Sequence, residues 1–346
     1  MNRFFTSLIL IFLSVTTLNI FAQDKNSVPD LIKQGVQLND QQKYTEAIDR
    51  YNEALKIDPE NTQANYELAF SLFLLGKGND GITYVEKAIK GAGDNTNLIA
   101  AAYDLLGSIY DQGKQPDKAI EAYKKGITAN PKYQRLHFNL GIAYFRNKQF
   151  AEAEASAIEA IKLDPKHASS QRLYALVTFH QNKRINALLG FCSFILLEPN
   201  SQRSAEAYNN IQHILQGGVL KDANGKNTIM LSPKDEKENG AANLAISMIV
   251  LSGQSKKLAG MDLLEYELKS IFTIAGEMGE KKTDKDFYDK FFVDYFYKLA
   301  KSDNMPAFTR LVSLSANKNT NTKWMSDNDK KVKDLDSWVA ATDRSF

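Results

Sequence analysis

The chain has 346 residues, enough for about two domains, and 43% hydrophobic with 24% charged residues is the composition of a foldable protein, not a disordered one. Lysine and arginine number 43 against 41 acidic residues, and this near-neutral balance, with no single-sign block, gives no reason to expect a nucleic-acid partner. Cys192 is the sole cysteine, which excludes an internal disulfide and leaves stability to packing.

Residues 1–22 read as a signal peptide: Arg3 supplies the positive flank, residues 8–15 are apolar, and a polar lead runs to Ala22 before Gln23. The competing reading is an uncleaved membrane anchor, since residues 4–22 approach the length of a short transmembrane helix. Ser7, Ser14, Thr16, Thr17 and Asn19 weaken it. The expectation is export, to the periplasm first and outside the cell second, with no stable membrane insertion once the signal is removed. No cysteine stands near the cleavage point to carry a lipid.

The next segments repeat with a period of 34. YTEAIDRYNEALKIDP (44–59), QPDKAIEAYKKGITANP (115–131) and FAEAEASAIEAIKLDP (150–165) align without gaps from a central alanine to a closing proline. Small residues match at Ala47, Ala119 and Ala153, then at Ala54, Gly126 and Ala160. Upstream, Leu106, Gly107 and Tyr110 correspond to Leu140, Gly141 and Tyr144.

This pattern resembles the tetratricopeptide repeat, in which small residues let two antiparallel helices touch and proline ends the second helix. Repeats fall at 28–61, 62–95, 100–133, 134–167 and 168–201, followed by a capping helix at 202–216. The resemblance implies an all-α fold, a right-handed tetratricopeptide helical-hairpin solenoid whose pairs bury their faces by stacking on neighbours. The second repeat departs from the pattern, with Gly81 and Val85 at signature positions and no closing proline, so a longer loop is expected at 91–95. The fifth is looser, keeping Tyr174, Ala175, Ala187, Phe194 and Pro199.

Residues 217–238 read as a loop or a hairpin, with Asn224-Gly225 between short apolar runs. From 239 to 346 the helical pattern returns and implies a separate helical C-terminal domain. Its densest apolar stretch, around Phe287, Phe291, Phe292, Tyr295, Phe296 and Tyr297, is expected to be core. Helical tails of this kind are similar to those that follow repeats in exported proteins of Bacteroidetes-like bacteria.

No recognised catalytic arrangement is visible. GKGNDG at 76–81 fits the glycine spacing of a dinucleotide loop, but a helix precedes it where that loop needs a strand. His137, His167, His180 and His213 sit on separate segments without metal-ligand spacing. DANGKN and DNDKK lack the full spacing of a calcium loop and read as turns. No cofactor or metal is expected.

In each repeat the second, fifth, ninth and twelfth positions of the first helix point away from the signature face, and in tetratricopeptide superhelices that side lines the concave groove. These positions hold Tyr66, Phe70 and Phe73, then Asp104, Ser108 and Asp111, then Arg135, Phe138, Ile142 and Phe145, then Arg172, Leu176 and Phe179. Aromatic and arginine residues suit a protein-binding groove, and they serve equally well to pack adjacent repeats. The chaperone-binding members of the family hold a C-terminal carboxylate with lysine, asparagine and arginine. Here Ile32 and Val36 occupy those positions in the first repeat, and Ala101 and Leu105 those in the third, so that clamp is absent. The expected function is a protein-binding adaptor or scaffold that recognises an internal segment or folded surface. An enzyme with its site in the C-terminal domain and a cell-envelope assembly factor are the alternatives.

Overall fold

The computed structural model describes residues 27–216, 218–221, 227–229, 240–344 and 346. The expected signal peptide and the Asn224-Gly225 pair lie outside them. The described residues fall into two compact units, one ending at Gly91 and the other beginning at Ala92.

The first unit holds two antiparallel helix pairs, α1 (Val28–Asp40) with α2 (Tyr44–Ile57) and α3 (Thr62–Leu74) with α4 (Gly78–Gly91). The Ser27 hydroxyl caps α1 by accepting from the Asp30 amide, and Asn61 Oδ1 caps α3 by accepting from the Ala64 amide at 3.0 Å. Leu31, Ile32, Ala47, Tyr51, Ala54, Ala64 and Leu68 make the core of this unit. The small signature residues act as expected: an added Cβ on Gly35 would stand 2.4 Å from Tyr51 Cε1, so only glycine lets the phenol lie across α1. Gly81, the apparent departure in the second repeat, is explained by closeness, since a Cβ there would meet the Ala69 Cα at 3.2 Å.

The second unit continues with α5 (Thr96–Gln112), α6 (Pro116–Ala129), α7 (Gln134–Arg146), α8 (Phe150–Leu163), α9 (Ala168–His180) and α10 (Arg184–Leu197), then α11 (Gln202–Gln216). First helices of 13 residues alternate with second helices of 14, except α5, which has 17. The longer loop expected at 91–95 is therefore corrected: α4 runs through Gly91 and most of the extra length is helical. Asn95 Oδ1 accepts from the Leu98 amide at 3.1 Å, and the first three turns after it, 96–106, hold neither glycine nor proline to stop a helix.

The turns inside the pairs share one device. Gln42, Gly76, Lys114, Lys148 and Asn182 all have left-handed backbone, with φ of 62°, 78°, 56°, 59° and 58°. The residue after each donates its amide to a carbonyl five positions back, as Lys43 does to Leu38 at 2.9 Å and Gln149 to Tyr144 at 2.9 Å. This closure satisfies the last carbonyls of the first helix. In GKGNDG the glycines serve this turn: α3 precedes it, Gly76 takes the left-handed position, and Gly78 opens α4.

Beyond α11, β1 (Val219–Lys221) pairs antiparallel with β2 (Asn227–Ile229), Val219 opposite Ile229. There follow α12 (Gly240–Ser255), α13 (Gly260–Glu280), a π-helical turn (Asp289–Val293), α14 (Asp294–Ala300), α15 (Met305–Val312), α16 (Lys318–Asp327) and α17 (Asp329–Ala341). Among the described residues the fold is thus all-α apart from one short hairpin.

The separate C-terminal domain expected from 239 is corrected by the core. One continuous apolar cluster includes Tyr123 of α6, Leu140 of α7, Phe191 and Phe194 of α10, Phe272 of α13, Phe296 of α14 and Leu335 of α17. The reason is α10 itself: Leu188, Leu189, Phe191, Cys192, Ser193, Phe194 and Ile195 are all fully buried, so the helix is covered on every side. Tyr174 of α9 stacks on Phe292 of the π-helical turn with ring centroids 4.9 Å apart. The aromatic stretch is core as anticipated, but it is a π turn running into α14, not one regular α-helix. Gly276 brings α13 against it, since a Cβ there would lie 2.1 Å from Tyr297 Cγ.

The end of the chain folds back onto this core. The Arg344 guanidinium lies 3.9 Å from the Tyr295 ring centroid and donates to Ser193 Oγ of α10. Phe346 packs edge-on to Phe287 at 5.9 Å.

Candidate functional site

The residues anticipated for the groove divide between the two units. In the first, Tyr66 and Phe70 are half-buried on α3 with their rings parallel and 6.4 Å apart, and Phe73 is half-buried one turn on. In the second, the remaining residues lie on α5, α7 and α9, first helices that contact one another, with α11 in the next place.

Polar pairs one repeat apart tie these helices together. Arg135 Nε donates to Asp104 Oδ2 at 2.6 Å, and Asn139 Nδ2 donates to Asp104 Oδ1 at 2.7 Å. Arg146 donates to Asp111, and Arg172 Nη2 donates to Glu206 Oε2 at 2.8 Å. Asp104 is corrected from a groove contact to a buried acceptor, with its side chain only 3% exposed. Burial pushes its carboxyl above the ordinary aspartate range, against the opposing pull of Arg135 and Asn139.

Between the charged pairs lie half-buried apolar side chains: Phe138, Ile142 and Phe145 of α7, Leu176 and Phe179 of α9. Phe138 meets His167 edge-on at 5.0 Å, and Phe145 meets His180 at 5.1 Å. Phe150 stacks on His180 at 5.6 Å, and Phe179 approaches His213 at 5.7 Å. Burial holds His167 below the usual imidazole range. The face therefore offers partly exposed rings framed by guanidinium groups. It also packs one repeat on the next, the second of the two uses foreseen for these positions.

Asn139, Arg146, Phe150, His180, Glu206 and His213 belong to this face and are not among the groove positions that the repeat pattern indicates. Their signal was available as opposite charges separated by about one repeat length: Asp104 with Arg135, Asp111 with Arg146, Arg172 with Glu206. At the clamp positions Ile32 and Leu105 are buried, so neither could hold a carboxylate even if exchanged for a cation without rearrangement.

A second concavity of about 560 Å³ opens between α8, α10, α12, α13 and the π-helical turn. Lys183 Nζ meets Glu154 Oε2 at 2.6 Å on one wall, and Lys282 Nζ meets both oxygens of the buried Asp289 at 2.8 and 2.9 Å on another. Burial raises the Tyr288 hydroxyl, which lines the same space, far above its usual range. Among the described residues no three histidine, cysteine or acidic side chains gather as metal ligands, and no helix is long and apolar enough to cross a membrane. Cys192 is wholly buried, and burial raises its thiol out of the reactive range.

Family models for the tetratricopeptide repeat match residues 35–76, 60–132 and 112–177. Together they span less than half of the chain, and over residues 35–177 it is similar to tetratricopeptide repeats. The helix lengths carry the same 13 and 14 alternation onward through α9 and α10. Among curated relatives, human tetratricopeptide repeat protein 6 is 28% identical over 38% of this chain and 25% of its own length. RNA polymerase II-associated protein 3 of Mus musculus is 34% identical over 34% of this chain and 17% of its own. Hsp70-Hsp90 organizing protein 1 of Glycine max is 34% identical over 30% of this chain and 18% of its own. The chain thus spans a quarter or less of the length of these relatives.

Similar solved structures include MamA, at 22% identity over 52% of this chain and 94% of that one, with a TM-score of 0.44. PilF of Pseudomonas aeruginosa is 17% identical over 55% of this chain and 84% of its own, with a TM-score of 0.49. YrrB, described as a tetratricopeptide protein with an unusual peptide-binding site, is 19% identical over 54% and 94%, with a TM-score of 0.44.

Proposed function

We propose that this chain is a non-enzymatic adaptor that holds an internal segment of a partner protein against the face of α5, α7, α9 and α11. The observation that carries the reading is the row Phe138, Ile142, Phe145 and Phe179, partly exposed and bordered by Arg135, Arg146 and Arg172. Large rings give contact area at low entropic cost and guanidinium groups give directional hydrogen bonds, which is the chemistry of binding hot spots. The presence of tetratricopeptide repeats supports a protein partner, as does the name of the organizing proteins among the relatives. The missing clamp directs the reading away from free C-terminal carboxylates.

Its test is crosslinking and pull-down with the full chain beside a Phe138→Ala, Phe145→Ala double variant whose helical circular dichroism and melting temperature are checked first. Partner recovery should fall about tenfold or more, as expected when two aromatic anchors are truncated. Equal recovery from a folded variant would remove the binding role from this face.

The sequence of residues 1–22 supports export to the periplasm as the setting. N-terminal sequencing of the protein from a cell fraction decides this, with a start at Gln23 expected and a start at Met1 contrary to it. A second reading rests on the 560 Å³ cleft with its buried Asp289 and two lysine–carboxylate pairs, a size suited to a small molecule. Fragment screening by ligand-observed NMR, with Lys282→Ala as the control, distinguishes it from a space filled only by solvent.

A further inference from the structure

We infer that the segment held on this face is extended and acidic at both ends, with carboxylates four to six residues apart around an apolar centre. The inference rests on the adaptor reading and adds the chemistry of the partner. Arg135, Phe138, Ile142, Phe145 and Arg146 recur at helical spacing on α7 and form one stripe, with an arginine at each end and apolar side chains between.

The stripe is cationic at its ends because of depth, even though each arginine has an acidic neighbour. The Arg135 side chain is 53% exposed while its partner Asp104 is 3% exposed. Arg146 is 63% exposed while Asp111 is 25% exposed. The carboxylates anchor the guanidinium groups from beneath, and an approaching segment meets the cations first. Each guanidinium carries five donors in a planar fork, so a pairing that engages one edge leaves geometry for a second acceptor. The adjacent pair is arranged the other way, with Glu206 at 48% and Arg172 at 26%, which confines the cationic ends to α7.

The length follows from helix geometry. Arg135 and Arg146 are eleven residues apart on α7, or about 16 Å along the axis. An extended chain advances about 3.3 Å per residue, so carboxylates four to six residues apart lie about 13–20 Å from one another and bracket that separation. Alternate side chains between them then face Phe138, Ile142 and Phe145.

Fluorescence anisotropy with the full chain tests this using a labelled, end-blocked peptide of about seven residues, glutamate at each end and leucine at the third and fifth positions. Blocking both ends removes terminal charge, so any preference belongs to the side chains. Exchanging both glutamates for lysine should weaken binding at least about tenfold, and raising salt from about 0.05 to 0.5 M should weaken the glutamate peptide more than an uncharged one. Asp111→Asn should tighten the glutamate peptide and Arg146→Glu should reverse the preference; both variants are first checked for unaltered melting.

Equal or better binding of the lysine peptide overturns the acidic assignment. If Phe145→Ala still weakens that peptide, the face remains the binding site and only its partner chemistry is wrong. If peptides bind but neither Phe145→Ala nor Arg146→Glu affects them, the adaptor face falls as well. Absence of binding by every peptide at millimolar concentration also overturns the inference.

Discussion

Gly107 and Tyr123 meet so closely that a methyl group on the glycine would stand 2.4 Å from the phenol Cε1. The same distance separates the added Cβ of Gly35 from Tyr51, so each unit contains one copy of the same joint. Gly107→Ala should force the tyrosine out of place and cost about 1–3 kcal/mol. Urea denaturation would show it, with Gly35→Ala affecting the first unit to a similar extent. Melting curves unchanged by both variants would mean that the helices separate freely to admit a methyl group.

The left-handed turn residues give a prediction of the opposite sign. Lys148 holds φ at 59° and Lys114 at 56°, a conformation disfavoured for residues with a Cβ and natural to glycine after a helix. Replacing Lys148 by glycine should stabilise the protein by about 0.5–1 kcal/mol, the relief of strain exceeding the added freedom of the unfolded chain. Asn182→Gly should gain less, because asparagine tolerates this region. Gly76→Ala should lose about 1 kcal/mol. Thermal melts of the three variants test the ordering.

Glu267 on α13 is 5% exposed, and burial pushes its carboxyl up to about 7. An unfolded glutamate titrates near 4.3, so between about pH 4.3 and 7 the native state keeps a proton that the unfolded chain has released. Stability contributed by this group is therefore full below that window, falls as pH rises through it, and is level above, a change on the order of a few kcal/mol. Glu267→Gln should remove that slope and make the protein more stable at pH 8. Urea titrations of both proteins at pH 5 and pH 8 measure the difference, and a variant as pH-sensitive as the parent would locate the titration elsewhere.

The ionic joints between first helices are separable from these packing effects. Asp104 accepts from both Arg135 and Asn139 while buried. Arg135→Ala should lower stability by about 1–3 kcal/mol, because it leaves the buried Asp104 carboxylate short of a charged donor. Arg146→Ala, at an exposed pair, should change it by less than about 1 kcal/mol. Parallel chemical denaturation of the two variants tests that contrast.

The period of 34 made the helix pairs legible because small residues must recur wherever two backbones touch. Gly107 and Gly141 are visible in the sequence for the reason they are needed in the structure. The binding positions were readable as a face, but not the depth of each side chain along it, and Asp104 illustrates the gap. Only the distance to Arg135 and Asn139 on the next first helix shows that this carboxylate is an anchor. The shared core was written in RINALLGFCSFILL, which is apolar all round where an ordinary second helix of a repeat keeps a wet side. Reading each repeat alone hides what covers that side. The π turn at Asp289–Val293 had no such signal, since its aromatic spacing is also compatible with a regular helix.

A repeat array lengthens by copying only while each unit leaves the next an equivalent surface to dock on. In α10 that surface is already occupied by α12, α15 and the π-helical turn, and the Arg344 side chain reaches Ser193 of the same helix. Duplication of the last pair would place a second α10 where no such covering exists, leaving Phe191, Phe194 and Ile195 without neighbours on one flank. An inserted repeat should accordingly be tolerated before α9, whereas α9 and α10 fold only together with the tail that covers them.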